Sequence, residues 1–290
     1  MPQPNSHAKG YVQLDADGLP LGILQPIAER RATKFEIRED GVAIITLDRP
    51  EKLNAFDERM IHEVRTIMWS ANFDDRVKII VITGAGRAFC SGRDINGLDY
   101  ENNLPTRMYR AYVRASHEMM DDFEAIEKPV IAAINGIAAG GGMEIAIACD
   151  FRIMAASATF LLPENQLGVI PASGACSRLI QMIGIGRLKE MVLAALPMSA
   201  QRSFDIGLAT RVVPDDAFMD GVLEFCNILL QRAPLAMGMA KHIINTCQNV
   251  DTETGRILER LGQSVLIGTA DNHEGMTAFR EKRRPVFTNR

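Results

Sequence analysis

The chain has 290 residues, 47% of them apolar and 23% charged, and its 32 basic side chains against 36 acidic ones leave a net charge of −4. This balance excludes a disordered or collagen-like chain and gives no electrostatic footprint for bulk nucleic-acid binding. The length is enough for a full hydrophobic core without staples, and it suits one large α/β domain or two smaller ones.

Residues 1–32 read as an extension, with prolines and glycines but no sustained period. Phe35–Glu39 and Val42–Leu47 predict paired strands, with Glu39, Asp40 and Gly41 as the turn. Asp57–Asn72 predicts a helix, because Met60, Ile61, Val64, Ile67 and Met68 recur at spacings of three and four. Val77–Thr83 is a β-branched run that predicts a buried strand, ended by Gly84, Ala85 and Gly86. A second helix is expected over 105–125 and another buried strand over Val130–Ile134. A glycine run then leads into an apolar helix at Met143–Ala148, followed by short strands at Phe151–Met154 and Thr159–Leu162. Beyond Gly186 the pattern is mostly helical, to near Glu281. Strands alternating with helices to about residue 215, then helices alone, predict an α/β core with a C-terminal helical part.

The five cysteines, Cys90, Cys149, Cys176, Cys226 and Cys247, are odd in number and none sits in C-x-x-C, so no disulfide framework is expected and a reducing compartment is. The uncharged stretch Pro129–Met143 is too short and too rich in glycine to cross a bilayer. The N-terminus lacks an apolar signal core and carries Asp15, Asp17 and Glu29, which predicts a cytoplasmic protein without membrane attachment. Gly84-Ala85-Gly86 follows a strand, but Phe89 stands where a dinucleotide-binding fingerprint needs its last small residue. No Walker A sequence is present, the histidines lack metal-binding spacing, and the segment around Ser173 lacks the leading glycine of a nucleophile elbow. No metal site is expected.

Three segments carry chemistry instead. In Asn135–Glu144, three consecutive glycines precede an apolar helix. The first N–H groups of a helix have no internal partner, and glycine leaves them open to a ligand, so this end can donate to a carbonyl oxygen that gains negative charge. Glu144 lies three residues after Gly141, on that first turn. It serves either as an acid or base beside the ligand or as a charge complement to the helix dipole. In Ala88–Ile95, Gly92 permits a sharp turn that exposes the N–H of Arg93, a second donor for the same oxygen. In Phe160–Gly168, Glu164 sits among apolar residues, a setting that raises a carboxyl pKa and suits an acid, unless it faces solvent.

With these segments, the sequence resembles the enoyl-CoA hydratase/isomerase family, also called crotonases. The matching stretches are Ile45–Ala55, Thr83–Ile95, Lys128–Asp150, Phe160–Pro171 and Glu274–Phe279, and the resemblance covers about residues 35–290. It implies a crotonase-like spiral core of β-β-α units over 33–215, a C-terminal helical, trimerising region over 216–290, and an N-terminal extension over 1–32 outside the family.

The resemblance further implies an acyl-CoA substrate whose thioester oxygen is held by the backbone N–H groups of Arg93 and Gly141. Both glutamates of the family's hydratases have counterparts, Glu144 and Glu164, which favours addition of water to a 2-enoyl-CoA. Isomerase, hydrolase and hydratase-lyase reactions on the same scaffold are the alternatives, followed by a non-catalytic CoA- or RNA-binding relative. Lys52, Leu53 and Ala55 match a region that contacts adenine and ribose. Ser91, Asp94, Ile95 and Gly140 match positions along the substrate, and Lys282 matches a tail position near the CoA phosphates. No separate cofactor is implied, because coenzyme A arrives as part of the substrate, and the expected partner is a second copy of the chain in a trimer or hexamer. Two departures bear on acyl specificity: arginine at 93, where straight-chain hydratases often have a small residue, and Ala172-Ser173-Gly174-Ala175 in place of a more glycine-rich stretch. The Arg93 side chain is expected either to meet a polar or acidic group of the substrate, or to turn away and pair with an acid such as Asp94 or Asp99.

Overall fold

The alternation of buried β-branched runs with amphipathic helices resolves, in the computed structural model, into two sheets threaded by one chain. The structure describes residues 31–94 and 104–290; the extension up to residue 30, Ile95 and Asp99 lie outside the described residues. Strands β1 (Thr33–Ile37) and β2 (Val42–Leu47) form the expected hairpin, with Gly41 in the left-handed region at φ 91° where the chain reverses. Helix α1 (Glu58–Phe73) follows and is capped by Asp57, whose carboxylate accepts the Met60 N–H at 3.0 Å. The buried Glu63 of this helix accepts the Ala32 N–H and the Thr33 hydroxyl, which ties β1 to α1.

The chain then builds repeating units. Strands β3 (Ile79–Gly84) and β4 (Ala88–Cys90) precede helix α2 (Thr106–Ala125). Strands β5 (Val130–Ile134) and β6 (Ile137–Ala139) precede helix α3 (Gly141–Ala148). Strands β7 (Phe151–Ala155) and β8 (Thr159–Leu161) precede a short 3₁₀ turn at Glu164–Leu167 and helix α4 (Ala175–Ala194). Each unit gives its first strand to a six-stranded sheet and its second to a four-stranded one. Strand β9 (Met198–Ser199) and helix α5 (Ala200–Asp205) then lead to β10 (Arg211–Val213). The sheet orders are β1-β2-β3-β5-β7-β10 and β4-β6-β8-β9, and among the described residues only the β1–β2 and β8–β9 pairs are antiparallel. This is the spiral of β-β-α units that the resemblance implied.

Strands β2, β3 and β5 lie inside the larger sheet and read as nearly continuous apolar runs, broken only by Thr46 and Thr83 before the strand ends, because both faces are covered. Helices α6 (Phe218–Leu229), α7 (Pro234–Cys247), α8 (Thr252–Leu266) and α9 (Ala270–Glu281) make up the C-terminal part. Lys241 of α7 anchors it to the core: its buried ammonium bonds the carbonyls of Phe123 and Lys128 and pairs with Asp150 at 2.8 Å.

Several elements differ from expectation. Strands β4, β6, β9 and β10 were not foreseen, and α4 begins at Ala175 rather than near Gly186. Strands of only two or three residues carry too little alternation to register as strands. Leu223, Phe225, Ile228 and Leu229 of α6, apolar residues of the region expected to trimerise, pack on the core of their own chain. Among the described residues, no helix is long and apolar enough to cross a membrane.

Candidate active site

The site forms where β4 and β6 leave the smaller sheet side by side. Gly92 adopts φ 100°, a conformation glycine tolerates at little cost, and turns the chain out of β4. Phe56 then exchanges both of its backbone bonds with this segment: its N–H donates to the Gly92 carbonyl at 2.8 Å, and its carbonyl accepts the Asp94 N–H at 2.9 Å. Because successive peptide groups alternate in direction, the Arg93 N–H points to the opposite side, towards α3.

Gly141 opens α3, so its N–H lacks an intrahelical partner, and no side chain caps this end. A β-carbon on Gly92 would lie 3.2 Å from the Gly141 nitrogen, and one on Gly141 would lie 3.8 Å from the Arg93 nitrogen. The two amides therefore stand next to each other, as the sequence predicts. A β-carbon on Gly141 would also press to 2.7 Å against the ring of Phe56, and one on Gly142 would overlap the Cys90 carbonyl. The glycine run is what lets α3 start this close to β4.

Glu144 lies on the first turn of α3 and is buried. Its Oε1 accepts two backbone amides, from Ser173 at 2.7 Å and Ala175 at 3.0 Å. Burial raises its pKa, and those two amides, together with the charges of His117 and Arg178, oppose the rise. Glu164 starts the 3₁₀ turn after β8, and its Oε1 sits 3.0 Å from where a β-carbon on Gly140 would be. Its Oε2 is buried and has no hydrogen-bond partner among the described residues. Burial, assisted by the Glu144 charge, pushes the Glu164 carboxyl up to about 7. The two carboxyls thus share one electrostatic neighbourhood beside the Gly141 amide but differ in what holds them.

The other expected residues fall into two places. Lys52, Leu53 and Ala55 run alongside Ser91 and Asp94: the Ser91 N–H donates to the Leu53 carbonyl at 2.9 Å, and the Lys52 ammonium pairs with Asp94 at 2.7 Å. Arg49 bonds the same Asp94 oxygen at 2.7 Å and the Ala55 carbonyl at 2.6 Å. Asn54 is fully buried and braces the turn between β3 and β4 through the carbonyls of Ala85 and Ala88. Lys282 lies apart from this cluster in the chain, exposed at the left-handed C-terminal end of α9.

The Arg93 side chain turns to an acid on α1 that the sequence did not offer, while Asp99 lies outside the described residues. Its guanidinium pairs with Glu58 at 2.7 Å, bonds the Ser116 hydroxyl at 3.0 Å and lies over the Phe56 ring. Arg49, Phe56 and the Ser173 and Ala175 amides were also missed as parts of the site. An aromatic residue directly after Lys52–Ala55 was the one local signal; the rest depend on contacts far apart in sequence.

Residues 37–290 match the family model described as "Enoyl-CoA hydratase/isomerase". Over 254 residues the chain is 34% identical to a "Crotonyl-CoA hydratase" of Syntrophomonas wolfei subsp. wolfei, covering 87% of this chain and 96% of the relative. It is also 32% identical to the "1,2-epoxyphenylacetyl-CoA isomerase" of Escherichia coli, with 87% and 97% covered. A crystal structure of an enoyl-CoA hydratase from Bacillus anthracis superimposes with a TM-score of 0.84 at 34% identity, over 90% of this chain and 100% of the other.

Proposed function

Because the chain belongs to the enoyl-CoA hydratase/isomerase family, we propose that it adds water across the 2,3 double bond of a 2-enoyl-CoA to give a 3-hydroxyacyl-CoA. The observation that carries this reading is the pair of carboxyls beside one helix end, Glu144 held by two amides and Glu164 half-buried, with a buried oxygen that has no hydrogen-bond partner among the described residues.

The mechanism follows from where charge develops. Water attack at C3 places enolate charge on the thioester oxygen, and the Arg93 and Gly141 N–H groups stabilise it; one such donor typically contributes about 10²–10³ in rate. Glu144 has one oxygen occupied by amides, so its other oxygen takes a proton from the attacking water. Glu164, kept protonated to about 7, gives its proton to C2. The water oxygen bonds C3, one proton arrives at C2, and one leaves the water, so the step balances. Two carboxyls in unlike surroundings can divide acid from base in this way.

Lys52, Leu53 and Ala55 take the adenine and ribose in this reading, Ser91 and Gly140 line the path of the acyl-CoA, and Lys282 meets the phosphates. Asp94 holds Lys52 and Arg49 in register with the Arg93 amide. No separate cofactor is required. Residues 33–215 form the catalytic core, and residues 216–290 serve self-association as a trimer or a hexamer.

Isomerisation on the same scaffold is the second reading, favoured by the likeness to the Escherichia coli isomerase. Incubation with crotonyl-CoA separates the two. Hydration removes the enoyl-thioester absorbance, whereas an isomerase leaves it in place and creates it from a 3-enoyl-CoA.

A further inference from the structure

Glu144 does not hold its own position. Both hydrogen bonds to its Oε1 come from the backbone of Ala172–Ala175, and each of those amides depends on something behind it. The Ser173 N–H belongs to the same peptide group as the Ala172 carbonyl. That carbonyl contacts His117 Nε2 at 2.7 Å, and since a carbonyl only accepts, the imidazole donates. His117, the Ala172–Ser173 peptide and Glu144 thus form one hydrogen-bonded line, in which each bond polarises the next.

The next peptide is gripped as well. Arg178 Nη1 donates to the Ser173 carbonyl at 3.1 Å, while its Nε and Nη2 reach Glu124 and Asp121 on α2. Gly174 adopts φ 112°, and a β-carbon there would overlap the guanidinium. The turn therefore rests on Arg178 as on a plate, and α2 and α4 are clamped around it.

The geometry points to His117 and Arg178 as positioning residues that hold the Glu144 carboxylate in its working orientation through the backbone of Ala172–Ala175. The inference rests on the proposed role of Glu144, but it makes a claim about residues that touch neither substrate nor reacting atoms.

The surroundings make the idea testable without unfolding the chain. His117 is exposed. The Asp121 and Glu124 side chains are 64% and 40% exposed, so loss of Arg178 returns them to water rather than stranding them. A cavity of about 480 Å³ adjoins both positions. The charged and titratable groups around Glu144 are His117 from α2, Arg178 and Cys176 from α4, and Glu164 from the 3₁₀ turn. Of these, His117 and Arg178 favour the carboxylate form, so removing either raises the pH at which Glu144 loses its proton.

The experiment compares His117→Ala, His117→Gln and Arg178→Met with the wild type in two readouts. The first is kcat and KM for crotonyl-CoA. His117→Ala and Arg178→Met are expected to lower kcat about tenfold or more, the scale of a small misplacement of a catalytic group, with KM within about threefold. His117→Gln keeps a donor without the imidazole charge and is expected to recover most of the His117→Ala loss. The second readout is the carboxyl titration of Glu144, followed by carbon-13 NMR in the absence of substrate and assigned with Glu144→Gln. It is expected to move to higher pH in His117→Ala and Arg178→Met. Thermal melting checks that each variant is folded.

Folded variants with wild-type kcat and an unmoved Glu144 titration overturn the inference, as does a loss confined to KM. A wild type that leaves crotonyl-CoA unchanged overturns the hydratase reading instead. The NMR titration then still decides whether His117 and Arg178 govern Glu144.

Discussion

Glu164 shows how a local environment selects a role. A glutamate in water titrates near 4.3, but burial and the neighbouring Glu144 charge push this one up to about 7. The acid form that donates to C2 is therefore present at and below neutrality and disappears as pH rises through that value. A pH profile of kcat/KM, which reports groups of the free enzyme, is expected to fall on its alkaline side near pH 7. In Glu164→Gln the residual rate should be lower by about 10²–10⁴-fold, the usual worth of general acid–base help, and the alkaline limb should vanish. Persistence of that limb in the variant would assign it to another group. Arg93 illustrates the opposite case. Its side chain is committed to Glu58 and Ser116, so the polar substrate group that the sequence allowed would have to compete with an ion pair already made.

At the scale of elements, the site depends on α3 starting hard against β4. Gly142 is the tightest point, since a β-carbon there would run into the Cys90 backbone, which cannot move aside as a flexible side chain would. Gly142→Ala is expected to cost about 1–3 kcal/mol or more by overpacking, with a drop in melting temperature and in kcat as the Gly141 amide shifts. Gly186→Ala is the control: it lies in α4 with open space where the methyl would go. It should be neutral or stabilising by up to about 1 kcal/mol. Equal melting temperatures for the two variants would remove the argument from close approach.

The elements also mark where sequence reading ends. Helix α2 and strand β5 were legible nearly to the residue, because a long 3.6-residue period and an unbroken apolar run are strong local signals. The adjoining amides of Gly141 and Arg93 were legible too, from glycines ahead of an apolar helix and after a buried strand. The pairing of Arg93 with Glu58 was not, since Glu58 lies on a separate helix and nothing local links the two. The anchoring of Glu144 by Ser173 and Ala175 likewise depends on a turn 29 to 31 residues away.

For the whole molecule, the unused apolar surface is the main feature. Leu167, which ends the Glu164 turn, and Val169 and Ile170 just after it are 65%, 55% and 71% exposed. Ile257, Leu261 and Val265 form an exposed apolar row at every fourth residue of α8. Burying an aliphatic side chain is worth about 1.5–3 kcal/mol, so surfaces of this kind favour association. Light scattering at micromolar concentration is expected to show a trimer or a hexamer; a stable monomer would contradict this part of the account.

The central claim is hydration by two carboxyls, and the most direct measurement follows crotonyl-CoA with wild type, Glu144→Gln and Glu164→Gln by absorbance and mass spectrometry. The account predicts that the wild type removes the enoyl-thioester band and yields a product heavier by one water, and that each variant loses at least about 10²-fold in kcat with KM little changed. A wild type that leaves crotonyl-CoA intact, or either variant working near the wild-type rate, would contradict it.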